Sequence, residues 1–453
     1  MNDRIFSISR RKFLQTAATG AIAAPLILES CTQDDGILQH ACIGVGGMGW
    51  GDLQNFIKHP NVQIVAICDV DENRLKKASE VVPEARAYTD WRELLKKEGN
   101  NIESVNVSVP DHSHFAIAYQ AIQKRKHVYC QKPMCHDVAE VRLLTEASIK
   151  SRVITQLGTQ HASSANDRRA VQLIKDGAIG KVKHAYLCSN RPSAVKYRPE
   201  GPRPAQGQEP PSHLNWDLWI GTAPTRPYAP EIYHPMIWRG WQDFGTGWSG
   251  DIGCHIFDAV WKGLGMKPPK SVIAEVQKSW QHSPERRSDV WPQSNHITWM
   301  FPGNELTDSD VLPIEWFDGE FYPPQDILDL FPGEKYPVES AMLVGTEGAL
   351  LIAHAGGLVL LPQNKFENYS MPKFANRNHY HHFADACLGG EKTESHFAQT
   401  GPMTEAILLG TVAIREPDKL LDWDAVNMKF TNYPDANKYL RRTYRKGWQL
   451  AGF

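Results

Sequence analysis

Four groups of residues have types and spacings that suit chemistry. Gly44, Gly46 and Gly49 form a G-x-G-x-x-G loop enclosing Gly47 and Met48. Such a loop fits a pyrophosphate: the first glycine permits a tight turn, the second lets the backbone approach the phosphates, and the third lets the next helix pack closely. Asp69 stands twenty residues after Gly49, where a carboxylate takes ribose hydroxyls and repels a 2′-phosphate, so the expected cofactor is NAD rather than NADP. Lys132 precedes Pro133 at the end of an apolar run. Pro133 stops the strand and holds Lys132 at the sheet edge, where an ammonium is costly unless used or paired. Asp251, His255 and Asp258 are spaced i, i+4 and i+7, on one face of a helix. These groups match what hydride removal from a carbinol needs. His255, with an ordinary pKa of about 6.5, suits the base. Lys132 would steady the alkoxide or relay the proton. Asp251 would hold a hydroxyl pair, and Asp258 would orient His255.

The elements that must position these groups are legible as alternation. An apolar run ends at Ile43, a helix is predicted over 50–59, and a second run over 62–69 ends in Asp69. Helices follow over 73–81 and 92–97 around a turn at 88–91, then strands over 104–109, 127–130 and 153–156 with a helix over 114–124. This pattern predicts a doubly wound parallel sheet, an α/β Rossmann domain over 38–157. Ligands then lie at the carboxyl ends of its strands, which brings Pro110, His114 and Gln131 to the cofactor.

Composition bounds the rest. The 453 residues carry 49 Lys+Arg against 51 Asp+Glu and are 42% hydrophobic. A net charge of −2 leaves no footprint for nucleic acid, no apolar run reaches the roughly 20 residues of a membrane span, and the chain is too apolar to be disordered. Eight Cys form no CxxC pair. Cys42, Cys68 and Cys130 read as buried strand thiols.

Residues 1–30 read as an address. Ser9-Arg10-Arg11-Lys12-Phe13-Leu14 and the uncharged stretch after it resemble a twin-arginine export signal. Leu28-Glu29-Ser30-Cys31 resembles a lipoprotein processing box with Cys31 lipidated. The resemblance implies export already folded, to the periplasm, with a membrane tether only through Cys31.

From Gly44 to Asp258 the motifs resemble the glucose–fructose oxidoreductase / inositol dehydrogenase / rhizopine-catabolism (Gfo/Idh/MocA) family. In that family the glycine loop is followed by Glu-Lys-Pro, whose Lys contacts nicotinamide ribose and substrate hydroxyl. Lys132 and Pro133 match, while Gln131 replaces the acid, which keeps a hydrogen bond and removes a charge. A D-x-x-x-H in the larger domain is met by Asp251 and His255. The resemblance implies a second, α+β domain over 158–453 with an open, mostly antiparallel sheet, and a homodimer or homotetramer.

The approach to Asp251 is rich in Trp: Trp216, Trp219, Trp238, Trp241 and Trp248. Aromatic faces with polar rims suit pyranose rings, so these Trp are expected as a sugar-binding wall. His161, Arg191, Tyr233, Trp238, Arg239 and Asp258 are the candidate substrate contacts, and 240–253 a covering loop. Tyr233 and His161 are candidates for a second base. His379-Tyr380-His381-His382 reads as a surface helix start rather than a metal site, and no metal is expected. Arg441, Arg442, Arg445 and Lys446 read as a solvated terminal helix. The leading expectation is an exported, NAD-dependent oxidoreductase of a sugar or glycoside hydroxyl with its cofactor retained. A redox-neutral, NAD-dependent glycoside hydrolase comes next, and a non-catalytic NAD- and sugar-binding protein third.

Overall fold

A computed structural model describes residues 36–332 and 335–450. The predicted address, Cys31 included, lies outside the described residues. From Ile37 onward the chain forms one body around two sheets.

The first sheet contains β1 (Leu38–Ile43), β2 (Val62–Cys68), β3 (Arg86–Tyr88), β4 (Ser104–Val107), β5 (His127–Cys130) and β6 (Thr155–Leu157). All pairs are parallel, in the order β3-β2-β1-β4-β5-β6. β1 and β4 are buried almost throughout because helices cover both faces, although β4 carries Ser104 and Asn106. Asp71, Asp90 and Asp137 begin three of those helices, each accepting a backbone N–H of the first turn. Two helices start more than one residue earlier than the sequence predicts. Met48–Phe56 begins inside the glycine loop, and Asp111–Gln123 begins directly after Pro110, whose extended backbone opens the first turn. Arg86–Tyr88 pairs with β2 where part of a turn was expected.

The second sheet runs β13-β12-β11-β7-β10-β9-β8-β14-β15. Its strands are β7 (Val182–Ser189), β8 (Ser271–Val276), β9 (Asn295–Pro302), β10 (Val311–Asp318), β11 (Glu339–Gly345), β12 (Ala349–Ala353), β13 (Leu358–Leu361), β14 (Leu421–Asp424) and β15 (Lys429–Phe430). Every pair is antiparallel except β7 with β10, so the mostly antiparallel sheet is present. β9 alternates buried and half-buried residues, because only one face is covered. That face packs on helices Gly247–Leu264 and Phe397–Arg415: Trp299 lies against Phe257 and donates its indole N–H to Ala406 O at 2.8 Å.

Several expectations are corrected here. Helix His379–Cys387 is no surface start: Asn378 caps it, His379 and His382 are buried, and His379 bonds Ser163 and Leu157 O. The C-terminal arginines form no helix. Arg442 is drawn inward by Glu140 and Asp137, and Tyr444 donates to the same Glu140 at 2.6 Å. Segment 240–253 is not a covering loop, since helix Gly247–Leu264 starts within it and residues 247–253 are buried. Cys42, Cys68 and Cys130 are buried free thiols as expected. Among the described residues no helix is long and apolar enough to cross a membrane, and no group of His, Cys, Asp and Glu is arranged to hold a metal.

Candidate active site and cofactor groove

A groove runs along the carboxyl ends of the first sheet's strands. The glycine loop forms one end. Gly44 adopts φ +84° and its missing Cβ would strike the Ser108 carbonyl. A Cβ on Gly49 would strike the Gly44 carbonyl, which is how the helix packs so close to the loop. Gly46, Gly47 and Met48 line the groove, and the position of a Gly47 Cβ is open space. Asp69 faces the same end, fixed by N–H groups of Val45 at 2.9 Å and Asp71 at 3.0 Å. Burial pushes its pKa up, with Arg74 opposing. Bare backbone at the helix start and an anchored carboxylate beyond it fit a dinucleotide: the loop would hold the pyrophosphate and Asp69 a ribose.

At the other end stand Pro110, Gln131 and Lys132. Lys132 Nζ donates to Asp251 Oδ1 at 2.7 Å and to the Asp251 carbonyl at 3.0 Å, while Arg239 Nε lies 3.6 Å from Oδ2. Burial alone would raise the Asp251 pKa, but the Lys132 ammonium and Arg239 guanidinium outweigh it and hold the carboxyl below its ordinary range. Asp251 therefore holds Lys132 rather than standing free for a hydroxyl pair. His255 lies one turn further along the same helix. Burial, then Lys132, His354 and His161, push its pKa well below 6.5, so it rests neutral with a lone pair to offer. Its Nδ1 is buried without a hydrogen-bond partner among the described residues.

The remaining candidates divide. His161 approaches His354 at 4.6 Å between ring centroids, and His354 approaches His255 at 4.9 Å. Arg191 lies over Trp248 and pairs with Glu339 at 3.2 Å. Trp238 lines the groove beneath Arg239. Asp258 does not orient His255, since its Oδ2 binds Lys262 Nζ at 2.6 Å. Tyr233 is only 1% exposed, packed among Trp216, Trp241 and Phe244, so its ring is core. His114 does not line the groove; its nitrogens face Pro133 O and Val109 O, each at 2.7 Å, and so clamp the two strand ends. The Trp wall shrinks to Trp219 and Trp238. Trp216, Trp241 and Trp248 give their indole N–H groups to backbone carbonyls and fill a long irregular segment that needs its own core.

Three groups had no role assigned from the sequence. His354 follows β12 and meets His255 from a distant segment. Asp111, 1% exposed, accepts from Thr246 N and Oγ1 at 3.1 and 3.0 Å; burial and the nearby Asp251 charge push it up to about 7. Asp52 is fully buried beneath Gln131. Its place one turn after Gly49 is the one signal the sequence offered.

Comparison with known proteins fits this geometry. Residues 38–159 match the profile of the oxidoreductase family NAD-binding Rossmann fold (GFO_IDH_MocA), and 164–296 match that family's C-terminal alpha/beta domain. A myo-inositol 2-dehydrogenase of Thermotoga maritima is 28% identical over 151 residues, 33% of this chain and 45% of that protein. A glycosyl hydrolase family 109 protein of Porphyromonas gingivalis is 32% identical over 152 residues, 32% of each chain. These matches span less than half of either relative. In fold, the WlbA dehydrogenase of Bordetella pertussis, solved with NADH and UDP-GlcNAcA, superposes with TM-score 0.59 at 15% identity over 86% of this chain and 98% of that one. An inositol dehydrogenase homolog of Azotobacter vinelandii, solved with NADH and myo-inositol, gives 0.56 at 15% over 85% and 98%. The first domain is an NAD-binding Rossmann domain, and the chain belongs to the Gfo/Idh/MocA oxidoreductase family.

Proposed function

We propose that this protein oxidises a hydroxyl of a sugar or glycoside with NAD as hydride acceptor. The observation that carries the proposal is Lys132, held by both oxygens that Asp251 offers it, at the end of the NAD groove with a neutral His255 one helical turn away. NAD, when bound, supplies the acceptor for the hydride. The residues do the rest. The carbinol O–H gives its proton to His255 as the C–H bond breaks, leaving a ketone. The Lys132 ammonium stabilises the negative charge that grows on the oxygen, and Asp251 keeps that ammonium aimed. Trp238 and Trp219 offer apolar faces on the groove wall.

A second reading is a redox-neutral hydrolase: oxidation, elimination of the glycosidic group, addition of water and re-reduction. The glycosyl hydrolase family 109 relatives favour it. So does the row of imidazoles, because elimination needs a further base for a C–H proton and His354 and His161 stand beside His255. The Ser9–Leu14 motif supports export to the periplasm by the twin-arginine route, with a tether through Cys31, and a homodimer or homotetramer completes the proposal.

The test incubates purified protein with a panel of glycosides while following absorbance at 340 nm and released aglycone. Ketone with NADH supports the oxidoreductase, and cleavage without net NADH supports the hydrolase. Sugar binding with neither overturns both.

A further inference from the structure

Gln131 is held by an unusual neighbour. Asp52 is 0% exposed, yet its carboxylate gathers four donor contacts. Gln131 Nε2 lies 2.9 Å from both Oδ1 and Oδ2, Tyr380 Oη donates to Oδ1 at 2.8 Å, and Ser108 Oγ donates to Oδ2 at 2.6 Å. The Ser108 hydroxyl has little choice of direction, because Asn106 Nδ2 already donates to its oxygen at 2.8 Å. Burial pushes Asp52 up to about 6, while these three donors pull the other way and favour the ionised form.

An amide side chain can present either end; an ionised carboxylate only accepts. The –NH2 of Gln131 must therefore face Asp52, since the reversed amide would set its oxygen 2.9 Å from two carboxylate oxygens. The carbonyl end is then turned the other way. Gln131 Oε1 lies against Gly158, whose added Cβ would stand 2.6 Å from it, and Gln131 lines the groove next to Lys132.

We infer that Asp52 is a positioning residue of the cofactor groove: it fixes the Gln131 amide so that Oε1 is offered, beside Lys132, as the acceptor for a hydroxyl on the nicotinamide half of NAD. The assignment rests on NAD binding alone and is independent of the sugar chemistry proposed above.

The test measures NADH binding by fluorescence, and ADP binding by calorimetry, with the full chain and four variants. Asp52→Asn removes the instruction to the amide, and Gln131→Met removes the acceptor without adding a charge; each weakens NADH about tenfold, the worth of one hydrogen bond. Gln131→Glu sets two carboxylates together and weakens NADH about a hundredfold. Joining it to Asp52→Asn exchanges amide and carboxylate, and recovers NADH affinity to within about threefold of wild type. ADP, read by the glycine loop and Asp69, binds all four variants like wild type, which a collapsed fold would not allow. Unchanged NADH affinity in Gln131→Met, or a double variant as weak as Gln131→Glu, overturns the inference.

Discussion

The two ends of the groove are built by different means. At the glycine loop the ligand is met by backbone: Gly44, Gly46 and Gly49 act by what they lack, and all lie within six consecutive residues of a single turn and helix start. At the Lys132 end the arrangement consists of side chains that distant segments bring together. Lys132 and Asp251 are 119 residues apart, and His354 arrives from a third segment. A backbone site is a local property and survives many changes around it. A side-chain site depends on several packed elements at once, and its charges set each other: Asp251 is held below its ordinary range while Asp111, nearby and also buried, is pushed up to about 7.

Breaking each end should therefore look different. Lys132→Met should lower turnover about 10³-fold, since it removes the group facing the developing alkoxide, while ADP still binds. His255→Ala should lower it about 10²-fold. It also bears on pH: the lowered pKa keeps His255 neutral through pH 6.5, so kcat/KM should stay flat from pH 8 to 6.5 and fall only at lower pH, where the imidazole takes a proton. A half-maximal rate at pH 6.5 or above would mean that another group is the base. At the other end, Gly49→Ala forces a Cβ onto the Gly44 carbonyl, and NADH affinity should fall about thirtyfold by fluorescence titration. The smallest effect sharpens the border between site and core. Tyr233→Phe should change turnover less than about twofold, because the ring is packing. A tenfold loss would return its hydroxyl to the substrate.

The same contrast explains what the sequence disclosed. Gly44 to Asp69 was readable because strand, turn, helix and acid lie within one short unit whose spacing is itself the structure. Lys132 stood out at the strand end it closes, and Asp251 with His255 through the D-x-x-x-H spacing that resembles the family's, since helical periodicity alone would equally suit an ordinary amphipathic helix. Asp52 was not, because in Trp50-Gly51-Asp52-Leu53 it looks like a polar position on a helix; only the fold places Ser108, Gln131 and Tyr380 around it. His354 sits in a turn with no local pattern. The Trp cluster misled for a physical reason: indoles suit a sugar wall and an irregular core equally, and only burial separates them. Arg442 misled likewise, since a charge near a chain end is usually solvated, and here Glu140 at 2.7 Å draws it inward.

Hydride transfer from a sugar carbinol at the Lys132 end of the groove can be read by an isotope label. NAD-loaded protein is mixed with a binding glycoside deuterated at its ring carbinol carbons, quenched within one turnover, and its nucleotide analysed by mass spectrometry. Deuterium in the reduced nicotinamide with wild-type protein, and none with Lys132→Met, is the predicted result. A bound sugar with no deuterium passed to the nucleotide would mean that no hydride leaves the sugar at this site.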